Sequence, residues 1–314
     1  MENDISVVVT IFNDQNILSR FISDIENQSM KPREVVIADG GSKDNSKEIL
    51  ERWKNESEIQ IKLFFGERLN ISEGFNKAIK EAGCDTIVVM AVGNTYPSNF
   101  IEELYNEIKT NEYDAVYTPI RGNDLNSFSG AYNKTVLGGE CVMNMPSNHG
   151  VMIKKSVVEE LGYYYEHFAY AGEDFEFFVR FNNFKKKSKC VRTTYLTWDT
   201  PTSFKEYKKQ IYVYLVGLLQ AATNWYVFRY KIKEIAYIAA ILFSVLLLVF
   251  RLTRIIGIII LLLILLLNII WLVKNSVKGW AIKNLQIFMD FIYLFKANKY
   301  LLGKNKISED RRLR

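Results

Sequence analysis

The N-terminal third of the chain alternates between short apolar runs and amphipathic ones. Four apolar, β-branched runs predict buried strands, at residues 5–13, 34–41, 59–66 and 86–92. Between them, apolar residues recur at helical spacing and predict helices, at residues 17–28, 44–56 and 72–82. Strands that alternate with helices in this way are typical of an α/β fold with a parallel, doubly wound sheet.

The pattern is less regular after residue 100. Apolar spacing predicts a helix over 100–110 and one strand over 113–120, and then a polar stretch, 121–150, shows little periodicity. A long polar stretch inside a compact domain is more often functional than idle. A strand and a helix are predicted within 150–162, and GEDFEFFVRFNNF (172–184) predicts a helix whose first turn holds acids.

Two almost wholly apolar runs follow, at 235–250 and 255–273. A membrane-spanning helix needs ~20 apolar residues, with ~17 tolerated, so the first run is slightly short and the second is long enough. We expect a two-helix transmembrane hairpin, and a pair of buried soluble helices is the alternative. Helices that are apolar on every face are rare in soluble proteins.

The flanks of these runs bear on topology. The chain begins MENDISVVV, which lacks the features of a signal peptide, so the N-terminal domain is expected on the cytoplasmic side of a cell membrane. Lysines and arginines flank both runs, while Arg251 and Arg254 in the turn weaken the assignment without reversing it. The expected divisions are an α/β domain over 1–212, an interfacial amphipathic helix over 213–232, the hairpin over 233–274, and an amphipathic helix with a charged tail over 275–314.

Net charge and cysteine spacing limit the kinds of ligand and partner that we expect. The formal charge of +5 is mild and no nucleic-acid-binding motif is present, so nucleic acid is not an expected partner. The three cysteines, Cys84, Cys141 and Cys190, are scattered without metal-ligand spacing. They fit buried thiols in a reducing compartment better than a disulfide or a zinc site.

The candidate chemistry gathers where predicted strands end. In doubly wound sheets, ligands bind outside the carboxyl ends of the strands, which here predicts a site built from 10–13, 39–44, 70–76 and 92–96. Asp39 is followed by Gly40 and Gly41, so a carboxylate and a closely approaching backbone could bind a ligand. The alternative is that Asp39 serves its own turn. Asp174, in the first turn of a predicted helix, is either a functional acid kept ionised by the helix N-terminus or a capping residue.

Four segments in order resemble the successive motifs of family 2 glycosyltransferases: SVVVTIFND, VVIADGGSKDNS, NISEGFNKAIKEAGCD and GEDFEFFVR. The resemblance covers roughly residues 5–215. It implies the GT-A fold, a doubly wound, Rossmann-like mixed sheet. It also implies a nucleotide-diphospho-sugar donor and inversion at the anomeric carbon.

The resemblance also implies roles for individual residues. Asp174 would be the general base that takes the proton of the acceptor hydroxyl. The expected nucleotide-binding residues are Thr10 (where the family often has proline), Phe12, Asn13, Asp39, Gly41, Asn70, Gly74, Asn76, Gly93 and Asn94. The expected contacts to the acceptor or to phosphate are His149, Glu173, Arg180 and Gln210. Arg180 and Glu176 could instead simply pair along the helix.

The family's metal-binding acids are missing from the fourth predicted strand. Many members have Asp-x-Asp where this chain reads Val92-Gly93-Asn94. Three explanations stay open. A divalent cation, Mg²⁺ or Mn²⁺, could bind through Asn94, the diphosphate and water. Cationic side chains such as Arg68, Lys77 and those of FKEYKKQ (204–210) could replace the cation. The domain could also have lost transfer activity.

Membrane-bound processive members carry Gln-x-x-Arg-Trp, and here Gln210 is kept while the Arg-Trp pair is absent. We therefore expect an inverting enzyme that moves a single sugar. The tether beside a bilayer favours a lipid-linked saccharide acceptor. The resemblance implies a role in cell-surface polysaccharide synthesis, in the assembly of a bacterial capsule, exopolysaccharide or O-antigen. The alternatives are a non-catalytic nucleotide-sugar-binding subunit of a membrane glycosyltransferase complex and a structural membrane-assembly protein.

Overall fold

The computed structural model describes residues 4–137, 145–168, 171–221, 225–250 and 253–297. The chain divides into two compact units. The described parts of the first unit lie within 1–123 and 140–199, and those of the second lie within 124–139 and 200–306.

The first unit is built on a mixed sheet of seven strands in the order β3-β2-β1-β4-β8-β6-β9. Its strands are β1 (Ile5–Ile11), β2 (Glu34–Asp39), β3 (Gln60–Phe65), β4 (Thr86–Met90), β6 (Ala115–Tyr117), β8 (Gly150–Lys154) and β9 (Ser188–Cys190). Strands β1 to β4 are parallel, whereas β8 runs antiparallel to both β4 and β6. A smaller sheet has the order β5-β10-β7, formed by β5 (Asn94–Thr95), β7 (Ile120–Gly122) and β10 (Leu196–Trp198).

Helices cover both faces of the large sheet because its central strands are apolar on both sides. On one face Val7 and Val9 of β1 pack in a core with Phe21 and Leu104, and on the other Val8 packs with Phe75. The helices of the unit are α1 (Gln15–Glu26), α2 (Ser46–Glu56), α3 (Ile71–Glu81), α4 (Phe100–Ile108), α6 (Lys155–Glu160) and α7 (Glu173–Asn183). The expectation of a mixed α/β sheet covered by helices is confirmed.

Three details differ from the pattern-based prediction. The strand predicted over 113–120 is two strands, β6 and β7, which belong to different sheets. The polar stretch 121–150 contains a helix, α5 (Ser127–Val136), which begins at an Asn126 capping box. The short strands β5, β9 and β10 were not predicted, because two or three residues carry no measurable periodicity.

Two of the three cysteines lie in the described residues. Both are free thiols, Cys84 buried and Cys190 half-buried. Burial raises the pKa of the Cys84 thiol to about 11, so the thiol stays protonated. Cys141 lies outside the described residues.

The second unit consists of α5 together with α8 (Phe204–Ala221), α9 (Trp225–Val249) and α10 (Arg254–Ala297). Ser276 has a φ of 73°, which divides α10 into two helical stretches. A methyl group built on Gly257 would lie 2.7 Å from the carbonyl oxygen of Ser244, so α9 and α10 pack closely at this point. The predicted segment borders near 212, 232 and 274 fall inside these helices and stay predictions.

One helix in the described part of the chain, Arg254–Val273, has the length and apolar composition needed to cross a membrane. The apolar part of α9, Ala236–Val249, is shorter, and a span needs ~20 residues. The two-helix hairpin therefore stays a prediction.

Candidate active site at the carboxyl edge of the sheet

The predicted site residues come from strands that meet at one edge of the large sheet. Strands β1, β2 and β4 end at this edge, and the antiparallel β8 begins there, with Met90 opposite Gly150. Asp39 closes β2, whereas Asn148 and His149 come directly before β8. Strands β2 and β8 are three strand spacings apart, or ~14 Å.

Asp39 lies at one side of this edge and is 4 % exposed. One of its oxygens, Oδ1, accepts hydrogen bonds from the Ser42 hydroxyl at 2.6 Å and from the Ser42 backbone N–H at 3.0 Å. The turn needs glycine at 41, where φ is +94° and a methyl group would lie 2.5 Å from the Glu67 carbonyl oxygen. Asp39 thus serves its own turn. An ionised carboxylate has about four acceptor positions, so capacity for a ligand remains.

The loops that follow β1 and β2 are joined by Asn13. Its φ is 57°, its N–H donates to the Ser42 hydroxyl at 2.8 Å, and its Oδ1 accepts from the Lys43 N–H at 2.8 Å. The neighbouring Phe12 N–H donates to Asp14 Oδ2 at 2.9 Å. These bonds fix the backbone around Asp39 before any ligand arrives.

The residues expected to close over the nucleotide from α3 have partners within the protein. A methyl group on Gly74 would collide with the Thr10 side chain, so this glycine lets α3 pack against β1. Asn70 caps α3, and its Nδ2 donates to the Glu166 carbonyl at 2.9 Å. Asn76 donates to the Tyr164 carbonyl at 2.8 Å and accepts from the Tyr164 N–H at 3.0 Å. These bonds hold the loop that precedes α7, and the predicted nucleotide contacts stay untested.

The two acids of α7 lie against the segment before β8. The backbone N–H of Asn148 donates to Asp174 Oδ2 at 3.4 Å, and the side-chain Nδ2 of Asn148 donates to Glu173 Oε1 at 3.3 Å. Tyr164 orients this amide, because its hydroxyl donates to Asn148 Oδ1 at 2.6 Å. Burial and the nearby carboxylates raise the pKa of Tyr164, so its hydroxyl stays a donor. Neither Asn148 nor Tyr164 was predicted as a site residue, because they are 16 residues apart in the chain and meet only in the fold.

Asn94 is fully buried, and all its amide atoms have partners in the protein. Its Nδ2 lies 3.0 Å from the Tyr96 hydroxyl and 3.1 Å from the His149 carbonyl oxygen, and its Oδ1 lies 3.1 Å from His149 Nδ1. No group of three or more acidic, histidine or cysteine side chains suited to a metal ion occurs among the described residues. A cation ligated by Asn94 does not fit this arrangement, because the side-chain oxygen of Asn94 already faces Nδ1 of His149.

His149 lies near Asp174 of α7, and its Nδ1 contacts the Oδ1 of Asn94. Burial lowers the pKa of its imidazole, and the charge of Asp174 acts in the opposite direction. The Trp198 ring lies 4.9 Å away, between centroids, at a tilt of 55°. Gly93, the neighbour of Asn94, has no atom within 4 Å of where a methyl group would stand, and its carbonyl accepts from the Asp199 N–H at 3.2 Å.

Arg180 forms the predicted pair along α7. Its Nε donates to Glu176 at 2.7 Å, and its other nitrogens donate to the carbonyl oxygens of Leu161 and Tyr163. The guanidinium also lies 4.2 Å from the Tyr165 ring centroid. These contacts give Arg180 a structural role, and nothing in them supports the predicted acceptor or phosphate contact.

Gln210 belongs to the second unit. Its Oε1 accepts from the Tyr132 hydroxyl at 2.9 Å, and its Nε2 donates to the Tyr214 hydroxyl at 3.3 Å. Its predicted contact with the acceptor or with phosphate stays untested.

Comparison with known proteins agrees on one class. A family model described as "Glycosyl transferase family 2" matches residues 6–187. A cholesterol galactosyltransferase of Borreliella burgdorferi is 31% identical over 112 residues, which is 36% of this chain and 31% of the relative. The glycosyltransferase GlyG of Streptococcus pneumoniae is 28% identical over 116 residues, 37% of this chain and 38% of the relative. The matched part therefore spans only about a third of each curated relative.

Solved structures share the fold. The mannosyltransferase PcManGT from Pyrobaculum calidifontis, in complex with GDP-Man and Mn²⁺, has a TM-score of 0.64 at 15% identity, covering 97% of this chain and 89% of that one. TarS residues 1–349 from S. aureus, in complex with UDP, has a TM-score of 0.50 at 16% identity, covering 68% of this chain and 65% of that one. At these identities the likeness is one of fold.

Proposed function

The chain belongs to glycosyl transferase family 2 and is a glycosyltransferase, and from this premise we propose that it moves one sugar from a nucleotide-diphospho-sugar to a hydroxyl group with inversion. The observation that carries the proposal is that both acids lie at one edge of the sheet. Asp39 closes β2, and Asp174 of α7 lies against Asn148, directly before β8, a strand ~14 Å from β2. An extended donor can occupy this edge with its nucleoside at one end and its sugar at the other.

In the proposed reaction, Asp174 acts on the acceptor. Its carboxylate takes the proton of the acceptor hydroxyl while the oxygen attacks the anomeric carbon. The bond between that carbon and the donor phosphate oxygen breaks, and the nucleoside diphosphate leaves with the electron pair. Asp174 stands in the first turn of α7, at the positive end of the helix dipole. Asn148 orients the carboxylate by donating its N–H.

At the other end, Asp39 would bind the base or ribose through its remaining acceptor positions. The backbone around Thr10, Phe12 and Asn13, with Gly41 opposite, would frame the nucleoside. These assignments rest on the bonds that fix both loops, because a preformed pocket loses less entropy when the ligand binds.

A divalent cation deserves testing, because the PcManGT structure holds GDP-Man together with Mn²⁺. In this chain such an ion would need diphosphate oxygens and water as ligands, since the carbonyl oxygen of Asn94 faces His149. The proposed reaction therefore does not depend on a cation at Asn94.

The acceptor is proposed to be a lipid-linked saccharide in cell-surface polysaccharide synthesis, with the catalytic unit on the cytoplasmic side of the membrane. The support is the apolar helix Arg254–Val273, which would keep the enzyme beside a bilayer. The alternative is a nucleotide-sugar-binding subunit without turnover, and the absence of acids at Val92–Asn94 favours it.

Two substitutions separate these functions. Asp174→Asn should leave the affinity for UDP or GDP nearly unchanged and lower transfer by about 10²–10⁴-fold, since it removes the base. Asp39→Asn should weaken nucleotide binding by about tenfold or more, because it removes a charged acceptor. Calorimetric titration of both nucleotides, with and without Mn²⁺, and a transfer assay are the measurements.

The matched control is Asp85→Asn, an exposed aspartate directly before β4 and thus at the opposite edge of the sheet, which should change neither quantity. Equal turnover in Asp174→Asn and the wild type would remove Asp174 from its role. Nucleotide binding without any turnover in the wild type would favour the alternative subunit.

A further inference from the structure

The orientation of the Asn94 amide is set by its neighbours. One amide atom lies 3.1 Å from the His149 carbonyl oxygen, which can only accept a hydrogen bond, so this atom is the nitrogen. The same nitrogen donates to the Tyr96 hydroxyl at 3.0 Å, and that hydroxyl donates onward to the His149 carbonyl at 2.5 Å. The other amide atom, which faces His149 Nδ1 at 3.1 Å, must therefore be the oxygen.

This orientation fixes the protonation pattern of the imidazole. The Asn94 oxygen can only accept, so His149 Nδ1 has to carry a hydrogen. Burial disfavours the charged ring and lowers the pKa of His149, which keeps the ring neutral in spite of the nearby Asp174. In a neutral imidazole with a protonated Nδ1, the other nitrogen, Nε2, has a lone pair and accepts hydrogen bonds.

The surroundings of His149 supply further acceptors. Asp174 and Glu173 are acids in the first turn of α7, and Asp174 is close enough to His149 to influence the pKa of its imidazole. A phosphate oxygen is a hydrogen-bond acceptor, and an unprotonated Nε2 is also an acceptor, so the two cannot form a hydrogen bond. A hydroxyl group brings the hydrogen that Nε2 and the carboxylates can accept. The Trp198 ring beside His149 offers an aromatic face of the kind that suits a sugar ring.

We propose that His149 is a specificity-determining residue that accepts a hydrogen bond from an acceptor hydroxyl through Nε2, and that Asn94 is the positioning residue that fixes this tautomer. The proposal rests on the proposed transfer to a hydroxyl and decides between the acceptor and phosphate contacts predicted for His149. It also gives Asn94 a role other than cation binding at the place where related enzymes carry an acid.

The tautomer can be read directly, because the chain has only two histidines. In full-length protein labelled with ¹⁵N-histidine, the substitution His167→Gln leaves His149 as the single signal. Long-range ¹H–¹⁵N correlation should show a protonated Nδ1 and an unprotonated Nε2. Asn94→Ala should lose this pattern, with Tm recorded to confirm folding. A protonated Nε2 in the otherwise unchanged protein overturns the proposal.

Nucleotide binding gives a second readout. The substitution His149→Asn removes Nε2 while keeping an amide near the Nδ1 position. We expect it to change UDP or GDP affinity less than twofold, whereas in the transfer assay the KM for the acceptor rises about tenfold, as for the loss of one hydrogen bond. A tenfold loss of nucleotide affinity with an unchanged acceptor KM overturns the proposal, because it places a phosphate at Nε2. Either overturning result leaves the proposed function intact, since that is tested through Asp39 and Asp174.

Discussion

Glu34 is a buried carboxylate at the start of β2, so it lies at the edge of the sheet opposite to the candidate site. Its Oε1 accepts from the Ser6 hydroxyl at 2.6 Å and from the Gly83 N–H at 2.5 Å, and its Oε2 lies 2.6 Å from Lys62 Nζ. Burial alone would raise the pKa of Glu34, but Lys62 and the two hydrogen-bond donors more than offset it, so the pKa is lowered. The ionised form is therefore the one that the fold stabilises.

This lowered pKa predicts how acid affects stability. A group whose pKa is lower in the folded state stabilises the protein above its unfolded pKa and loses that effect as pH falls through its folded pKa. Between ~pH 6 and ~pH 3, Glu34→Gln should show a smaller decline in Tm than the wild type, from a lower starting value. Glu58→Gln, at an exposed site, is the control and should keep the wild-type slope. Parallel slopes for Glu34→Gln and the wild type would contradict this assignment.

The two candidate acids could be predicted from the sequence, whereas the residues around them could not. Asp39 and Asp174 stand at a strand end and in a first helical turn, positions that a pattern reveals. Asn148, Tyr164 and Trp198 acquire their roles only through contacts made across the fold, and no local pattern indicates such contacts. The pairing of Asn94 with His149 joins residues 55 positions apart, so sequence alone left both a metal role and a phosphate role open.

At the scale of elements, strands β1, β2 and β4 were predictable because each holds at least four consecutive buried positions. The direction of β8 was not, since a buried antiparallel strand carries the same apolar pattern as a parallel one. Helix α5 was missed because its sequence, SFSGAYNKTV, lacks a clear apolar stripe.

The packing of α3 on β1 gives a testable element-level prediction. Gly74→Ala places a methyl group against the branched Thr10 side chain and should lower the free energy of unfolding by about 1–3 kcal/mol. The better helix propensity of alanine, worth about 1 kcal/mol, works in the other direction and reduces the loss. Gly93→Ala, with no atom within 4 Å of the added methyl, should keep the wild-type Tm. A Gly74→Ala protein as stable as Gly93→Ala would show that this contact relaxes freely.

At the scale of the whole molecule, the second unit has an exposed apolar surface on α10. Leu262, Leu263, Leu265 and Leu266 of α10 are each more than half exposed. Soluble proteins rarely expose a continuous apolar surface of this kind, whereas lipid covers such a surface favourably. The proposed membrane attachment accounts for it.

Flotation with phospholipid vesicles tests the attachment on the full chain. The wild type should float with the vesicles and resist extraction by alkaline carbonate. The double substitution Leu263→Glu and Leu266→Glu should move the protein into the soluble or aggregated fraction, because each charge at mid-helix costs about 2.5–3.5 kcal/mol in a membrane. Phe184→Glu, an exposed apolar residue of the first unit, should float like the wild type. Unchanged flotation of the double variant would argue against burial of α10 in lipid.

Strand β8 runs against its neighbour β4, so the chain reaches the site at the beginning of a strand instead of leaving it at an end. The register of Met90 with Gly150 is set within the sheet and does not depend on how many residues precede Asn148. A residue inserted earlier in the connection between β4 and β8 would therefore leave the pairing of β1 with β2 and β4, and with it the position of Asp39, unchanged.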